Sequence, residues 1–227
     1  MERSPDVCWL EKRIDGIVFD VDGTLTDSIE AYYEVFREAT SRFNIPIKRE
    51  DVLGPMSTGS LIWERAIPKD IEGRDEKIKQ VSNAISEIFP KVFEHVRPFP
   101  KVEAVLKALK KRSIKIGVVT SSWGYAIRPL HSYSLTHYLD VVISSEDGYP
   151  LKPAPDGILE SLNRMEVDPS HALTIGDTLM DIRAGRSAGT LTMGVLSGIG
   201  SRAQLEAEGP TAVIENVAEL LTLLNLM

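Results

Sequence analysis

The chain has 227 residues, 43% of them hydrophobic and 26% charged, with 33 acidic against 26 basic side chains and a formal charge of -7. That is the composition of an ordinary globular protein, long enough for one large domain or for a core carrying a smaller insertion, and it argues against wholesale disorder. No Lys/Arg cluster overrides the acidic balance, so neither nucleic acid nor an anionic membrane is expected as a partner; no stretch approaches the ~18 apolar residues of a membrane span.

Cys8 is the only cysteine and forms no internal disulfide. With no apolar signal core near the N-terminus, a reducing, cytoplasmic location is the expectation.

Short apolar runs alternate with helical patterns, which predicts βαβ units and a parallel sheet. The expected strands are Ile14–Asp20, Ile114–Thr120, Leu139–Ile143, Ala172–Gly176, Leu191–Leu196 and Ala212–Ile214. Between the first two the pattern changes: Thr26 to His95 shows helical periods and no convincing strand. Ile29, Tyr32, Tyr33, Phe36, Ala39 and Phe43 make one stripe, and Val81, Ala84, Ile85, Ile88 and Phe89 another. So long a connection is an inserted helical subdomain, and Pro98 and Pro100 mark the return to the core because proline disfavours helix at the residue before it. The expected organisation is therefore a core of residues 1–25 and 96–227 with a helical cap of residues 26–95. Further helices are expected at Lys101–Lys111 and Asp156–Met165, each with one apolar face, and after Asn216 as N-cap.

Four groups of chemically useful residues fall where predicted strands end. The first, Asp20-Val21-Asp22-Gly23-Thr24, closes an apolar run with two carboxylates spaced i, i+2, which share a face on an extended strand. At about 4 Å such charges repel by roughly 4 kcal/mol at an effective dielectric near 20. The same residues also make a good turn, and a solvated Asp-x-Asp is the plain alternative. The second is Thr120-Ser121-Ser122, hydroxyls and amides suited either to a phosphate or to helix capping. Lys152, stiffened by Pro153 and Pro155 before a helix, is the third. Asp177 and Asp181 are the fourth, acids at i, i+4 that repel without a cation. In an open α/β sheet ligands gather at the carboxyl ends of the strands, so four separated groups can meet in one crevice. An all-oxygen set of this kind suits Mg2+.

In content and order these motifs resemble those of the haloacid dehalogenase superfamily of phosphohydrolases, in the branch of phosphoglycolate phosphatase and beta-phosphoglucomutase. The resemblance implies a Rossmann-like α/β core with an α-helical cap, and a Mg2+-dependent phosphatase for a small phosphorylated metabolite, phosphoglycolate being the first candidate. It also implies roles. Asp20 is the nucleophile and Asp22 the general acid and base. Asp20, the backbone carbonyl of Asp22 and Asp177 hold Mg2+. Thr120, Ser121 and Lys152 bind the phosphoryl oxygens, and Asp181 positions Lys152.

Asp22 is the acid that dehalogenases of the superfamily lack, which favours phosphoryl chemistry. The stretch Gly54–Leu61 has no arginine of the kind that anchors the far phosphate in hexose-phosphate mutases of the branch, which counts against a phosphomutase. A phospho-accepting signalling receiver also gathers acids, a hydroxyl and a lysine, but has no use for a cap. Gly194, Gly198 and Gly200 fit no phosphate-loop spacing and are expected in a loop near the active face. The four histidines share no metal-ligand spacing with cysteine, and zinc is not expected. Trp123, Tyr125 and Arg128, and Trp63 and Arg65 in the cap, are read as packing or surface residues ahead of substrate contacts.

Overall fold

A computed structural model describes residues 13–58, 62–67 and 69–224. Cys8, Gly59, Ser60 and Leu61 lie outside the described residues, as does the side chain of Trp63. Six parallel strands form one sheet: β1 (Gly16–Phe19), β2 (Lys115–Val119), β3 (Val141–Ile143), β4 (Ala172–Gly176), β5 (Leu191–Val195) and β6 (Ala212–Ile214), in the order β3-β2-β1-β4-β5-β6. All six expected strands form, several a residue or more shorter. The register sets Ile17 beside Ile116 on one side and Leu173 on the other.

Central strands of such a sheet are covered on both faces, which is why β1 reads as an unbroken apolar run. Ile17 and Phe19 point into a core built with α5 (Val102–Lys111), where Val102, Val105, Leu106 and Leu109 are buried, and with Leu130 of α6 (Arg128–Ser132). Val18 points the other way, toward Ile158 and Leu162 of α7 (Asp156–Met165) and Ala184 of α8 (Leu179–Ala188). The alternation is the two-residue period of a strand. Asn216 does cap, accepting from the Ala218 amide, but onto one 3-10 turn before the short helix Leu220–Leu223.

Between β1 and α5 the described residues form four helices and no strand beyond isolated bridges at Thr26: α1 (Ile29–Ser41), α2 (Arg49–Thr58), α3 (Ile62–Ala66) and α4 (Arg74–Phe93). They bury a core of their own, in which Tyr32, Val35 and Phe36 of α1 meet Ile85, Phe89 and Phe93 of α4. Phe89 and Phe93 stack with ring centroids 3.9 Å apart, and Tyr32 sits edge-on to Phe93 at 5.0 Å. Phe43 packs on this core from just beyond the end of α1. The outgoing and returning chains run side by side, the Asp27 amide donating to the Arg97 carbonyl and the Phe99 amide to that of Leu25, both at 2.9 Å. This paired crossing holds the helical insertion above the carboxyl ends of the strands. No helix among the described residues is long and apolar enough to cross a membrane.

Candidate active site

Asp20 follows the last residue of β1, Thr120 follows β2, Lys152 lies in the loop between β3 and α7, Asp177 follows β4, and Asp181 lies in the first turn of α8. Parallel strands point their ends the same way, so these residues meet. Lys152 Nζ donates to Asp20 Oδ1 and to Asp181 Oδ1, each at 2.5 Å, and to the Val119 carbonyl at 3.1 Å. Carboxylate oxygens of Asp20, Asp177 and Asp181 lie within 4.8 Å of one another, and all three residues are buried. Asp177 stands ahead of the helix, not on it, so its closeness to Asp181 comes from the turn between β4 and α8. Asp181 closes a capping box on α8, its Oδ2 accepting from the amide and hydroxyl of Thr178 at 2.9 and 2.6 Å. Its other oxygen remains for Lys152.

Asp20 and Asp22 line one cavity but take different partners. Asp20 faces Lys152, whereas Asp22 turns toward the helical insertion. Asp22 Oδ1 accepts from Ser28 Oγ at 2.7 Å, and Oδ2 accepts from Tyr32 OH and Ser122 Oγ, both at 2.9 Å. The sharing of one space expected from their i, i+2 spacing is thus only partial, because the chain leaves the strand at Phe19 and turns at Gly23, whose φ is +77°. Nothing in the sequence marks Tyr32 or Ser28 as site residues, and Ser122, expected with Thr120 and Ser121 to suit a phosphate or a helix cap, donates to Asp22 instead. Tyr32 sits in a helical apolar stripe, and nothing in such a stripe tells a phenol that ends on a carboxylate from one that fills a core.

The loop after β5 completes the site. The Ile199 amide donates to Asp177 Oδ2 at 2.8 Å and the Gly200 amide to the Asp177 carbonyl at 3.0 Å. A Cβ at Gly198 would lie 1.9 Å from Asp177 Oδ2, so only glycine admits this approach. Gly198 and Gly200, expected near the active face, therefore seat a carboxylate.

Burial raises the pKa of Asp20 to about 7, with the Lys152 ammonium opposing and the Asp181 and Asp22 charges adding to the rise. Asp177 is pushed well above the ordinary carboxylate range by burial and then by Asp20 and Asp181, against the pull of the Ile199 amide. Asp22 is also raised by burial, while its three hydroxyl donors, Ser28, Ser122 and Tyr32, restrain the rise. Three carboxylates around one ammonium are short of positive charge, and the ligand atoms are all oxygen. That is the chemistry of a site for a hard divalent cation.

Thr120 and Ser121 stand with Lys152 on the cavity wall. Trp123, read as a packing or surface residue, is 47% exposed and borders the cavity, its ring edge-on to Phe89 at 6.0 Å. Tyr125 carries the Arg128 guanidinium over its face at 4.6 Å. Arg65 is exposed and stands outside the cavity wall.

Removing the phenol tests the contact that the fold adds to Asp22. Tyr32→Phe keeps the ring and loses a donor that favours the ionised carboxylate, so the pKa of Asp22 rises. The expected outcome is kcat lower by roughly tenfold, the worth of a ~1.4 kcal/mol hydrogen bond, and a pH-rate limb displaced to higher pH.

A doubly covered parallel sheet with buried aspartates clustered at its strand ends, roofed by helices, defines an α/β protein with a candidate cation site at its switch between sheet and cap. Residues 17–195 match the model of the haloacid dehalogenase-like hydrolases, and the chain belongs to that family. It is 31% identical over 222 residues to pyrophosphatase PpaX of Bacillus cereus, covering 95% of this chain and 98% of that protein. Among solved structures it resembles a predicted phosphoglycolate phosphatase from Haemophilus somnus, with a TM-score of 0.83, 22% identity and coverage of 93% and 98%. It also resembles a hydrolase from Pseudomonas syringae, with a TM-score of 0.76, 26% identity and coverage of 92% and 97%.

Proposed function

We propose that the protein hydrolyses the phosphate ester of a small metabolite, with Mg2+ as cofactor and Asp20 as the nucleophile. The observation that carries this reading is the meeting of Asp20, Lys152, Asp177 and Asp181, residues remote in sequence, in one buried cluster with a single ammonium among three carboxylates. Asp20, Asp177 and the backbone of Asp22 would hold the ion. When bound, it would offset the repulsion between an anionic nucleophile and a phosphate dianion.

The remaining steps belong to the chain. Asp20 attacks phosphorus; the bond to the leaving oxygen breaks, and Asp22 delivers its proton to that oxygen. Water then attacks the aspartyl phosphate, Asp22 takes a proton from it, and Asp20 is regenerated as phosphate departs. A carboxyl raised by burial but held by three hydroxyls suits both halves of that cycle. Lys152, fixed by Asp181, and the hydroxyls of Thr120 and Ser121 would hold the phosphoryl oxygens.

Transfer to a second position of the substrate, as in a phosphomutase, needs a cation for the far phosphate. Lys152 is the only cationic side chain among the described residues lining the cavity, which favours hydrolysis. The test is phosphate release from phosphoglycolate, sugar phosphates, nucleoside monophosphates, pyrophosphate and aryl phosphates, with and without Mg2+. Chelation should abolish turnover and added Mg2+ should restore it; isomerisation without phosphate release, or turnover unaffected by chelation, would refute the proposal.

A further inference from the structure

The cavity that holds the acids extends upward into the helical insertion and encloses about 520 Å3, the size that holds a ligand much larger than a phosphate group. Its floor is polar and already assigned to the phosphoryl group. Its roof is not: Ile29 and Phe36 of α1, Met56 of α2, Ile62 of α3, and Ile85 and Phe89 of α4 face the space, with Trp123 at the side. Ser82 and the Tyr32 hydroxyl are the polar groups that the described helices contribute, and the Tyr32 hydroxyl is engaged with Asp22 and Ser122.

On the reading that phosphate is released at Asp20, we infer that the leaving group is an uncharged, apolar alcohol, with an aromatic ring as the best fit. A second phosphate or a carboxylate beyond the scissile bond would sit against hydrocarbon with no counterion among the described residues of the roof, and an anion left dry in this way binds poorly. Among the described roof residues, sugar hydroxyls would meet only the Ser82 hydroxyl and the engaged Tyr32 hydroxyl, the unpartnered Ser145 hydroxyl belonging to the polar side of the cavity. A ring or branched chain loses only water-exposed apolar surface there. It also meets Phe36, Phe89 and Trp123 at edges and faces, the geometry aromatic groups prefer. The substrate class so defined differs from pyrophosphate and from phosphoglycolate.

Non-hydrolysable phosphonates read this directly, because they need no turnover. Benzylphosphonate, methylphosphonate and 3-phosphonopropionate are titrated calorimetrically into the full chain with Mg2+ in excess. Benzylphosphonate is expected to bind at least tenfold tighter than either of the others. Ser82→Lys, a half-buried position on the roof, adds an ammonium without opening the core and should shift the benzyl-to-carboxylate preference at least tenfold toward the carboxylate. Equal or tighter binding of 3-phosphonopropionate by the wild type overturns the inference, as does equal binding of methylphosphonate or failure of all three to bind. If Ser82→Lys does not fold, the wild-type ratios decide alone. A protein that binds benzylphosphonate best yet releases phosphate from no ester keeps the apolar ligand preference of the roof while refuting hydrolysis at Asp20, and with it the leaving group.

Discussion

Asp20→Asn is expected to lower phosphate release by roughly 10^4-fold or more, the scale on which enzymes lose turnover when the nucleophile itself is replaced. The amide fills the same space, so the loss is one of chemistry and not of packing. Asparagine cannot form the acyl phosphate, and it removes one of the two carboxylates that receive the Lys152 ammonium. Lys152 keeps Asp181 and the Val119 carbonyl, so it stays partnered and the fold should survive. Phosphate release under saturating Mg2+, with a melting curve to confirm folding, checks both parts. A folded Asp20→Asn protein with wild-type turnover would sink the assignment of the nucleophile.

Asp177→Asn should produce opposite effects on stability and activity. In metal-free protein at pH 8 the Asp177 carboxylate is buried beside Asp20 and Asp181, and its pKa is raised well above the usual range. A carboxyl raised in this way contributes stability below its unfolded pKa and loses it as pH rises through the folded value. The metal-free variant should therefore melt roughly 2–4 °C above metal-free wild type at pH 8, the shift that about 1 kcal/mol gives a chain of this size. The difference should shrink as pH falls toward 5.

With Mg2+ the order should reverse. A ligand at a hundred times its Kd adds about 2.7 kcal/mol to the folded state, or roughly 5–10 °C here. The variant, missing one of three converging charges, should bind Mg2+ about 100-fold more weakly, show little of that rise and lose most activity. Scanning calorimetry with and without Mg2+ reads the crossover. A variant as strongly stabilised by Mg2+ as the wild type would place the cation elsewhere.

Much of this was legible along the chain. Ile17 to Phe19 is a buried central strand in any context that covers both its faces, and Asp20, Thr120 and Asp177 each stand just beyond a strand's end, while Lys152 and Asp181 lie on the loop and the helix that follow β3 and β4, on the side where a parallel sheet gathers them. The stripe through Ile29, Tyr32, Phe36 and Ala39 announced a helix, and the absence of strand signal from Thr26 to His95 announced an insertion. These are short-range signals, set by periodicity, turn chemistry and the stiffness of proline.

Other features appear only once the insertion lies over the sheet. Tyr32 reaches Asp22 across ten residues, and Ser122 reaches it across a hundred. Ile199 meets Asp177 through a loop whose glycines the sequence places near the active face without disclosing which side chain they approach. Ile85 and Phe89 belong to the insertion's own core and also face the reaction cavity, a double duty that a helical stripe does not disclose. The physical reason is common to all of these. Backbone propensity and hydrophobic period are local and say which face of an element is apolar, whereas what that face meets depends on how two separately packed layers settle on each other.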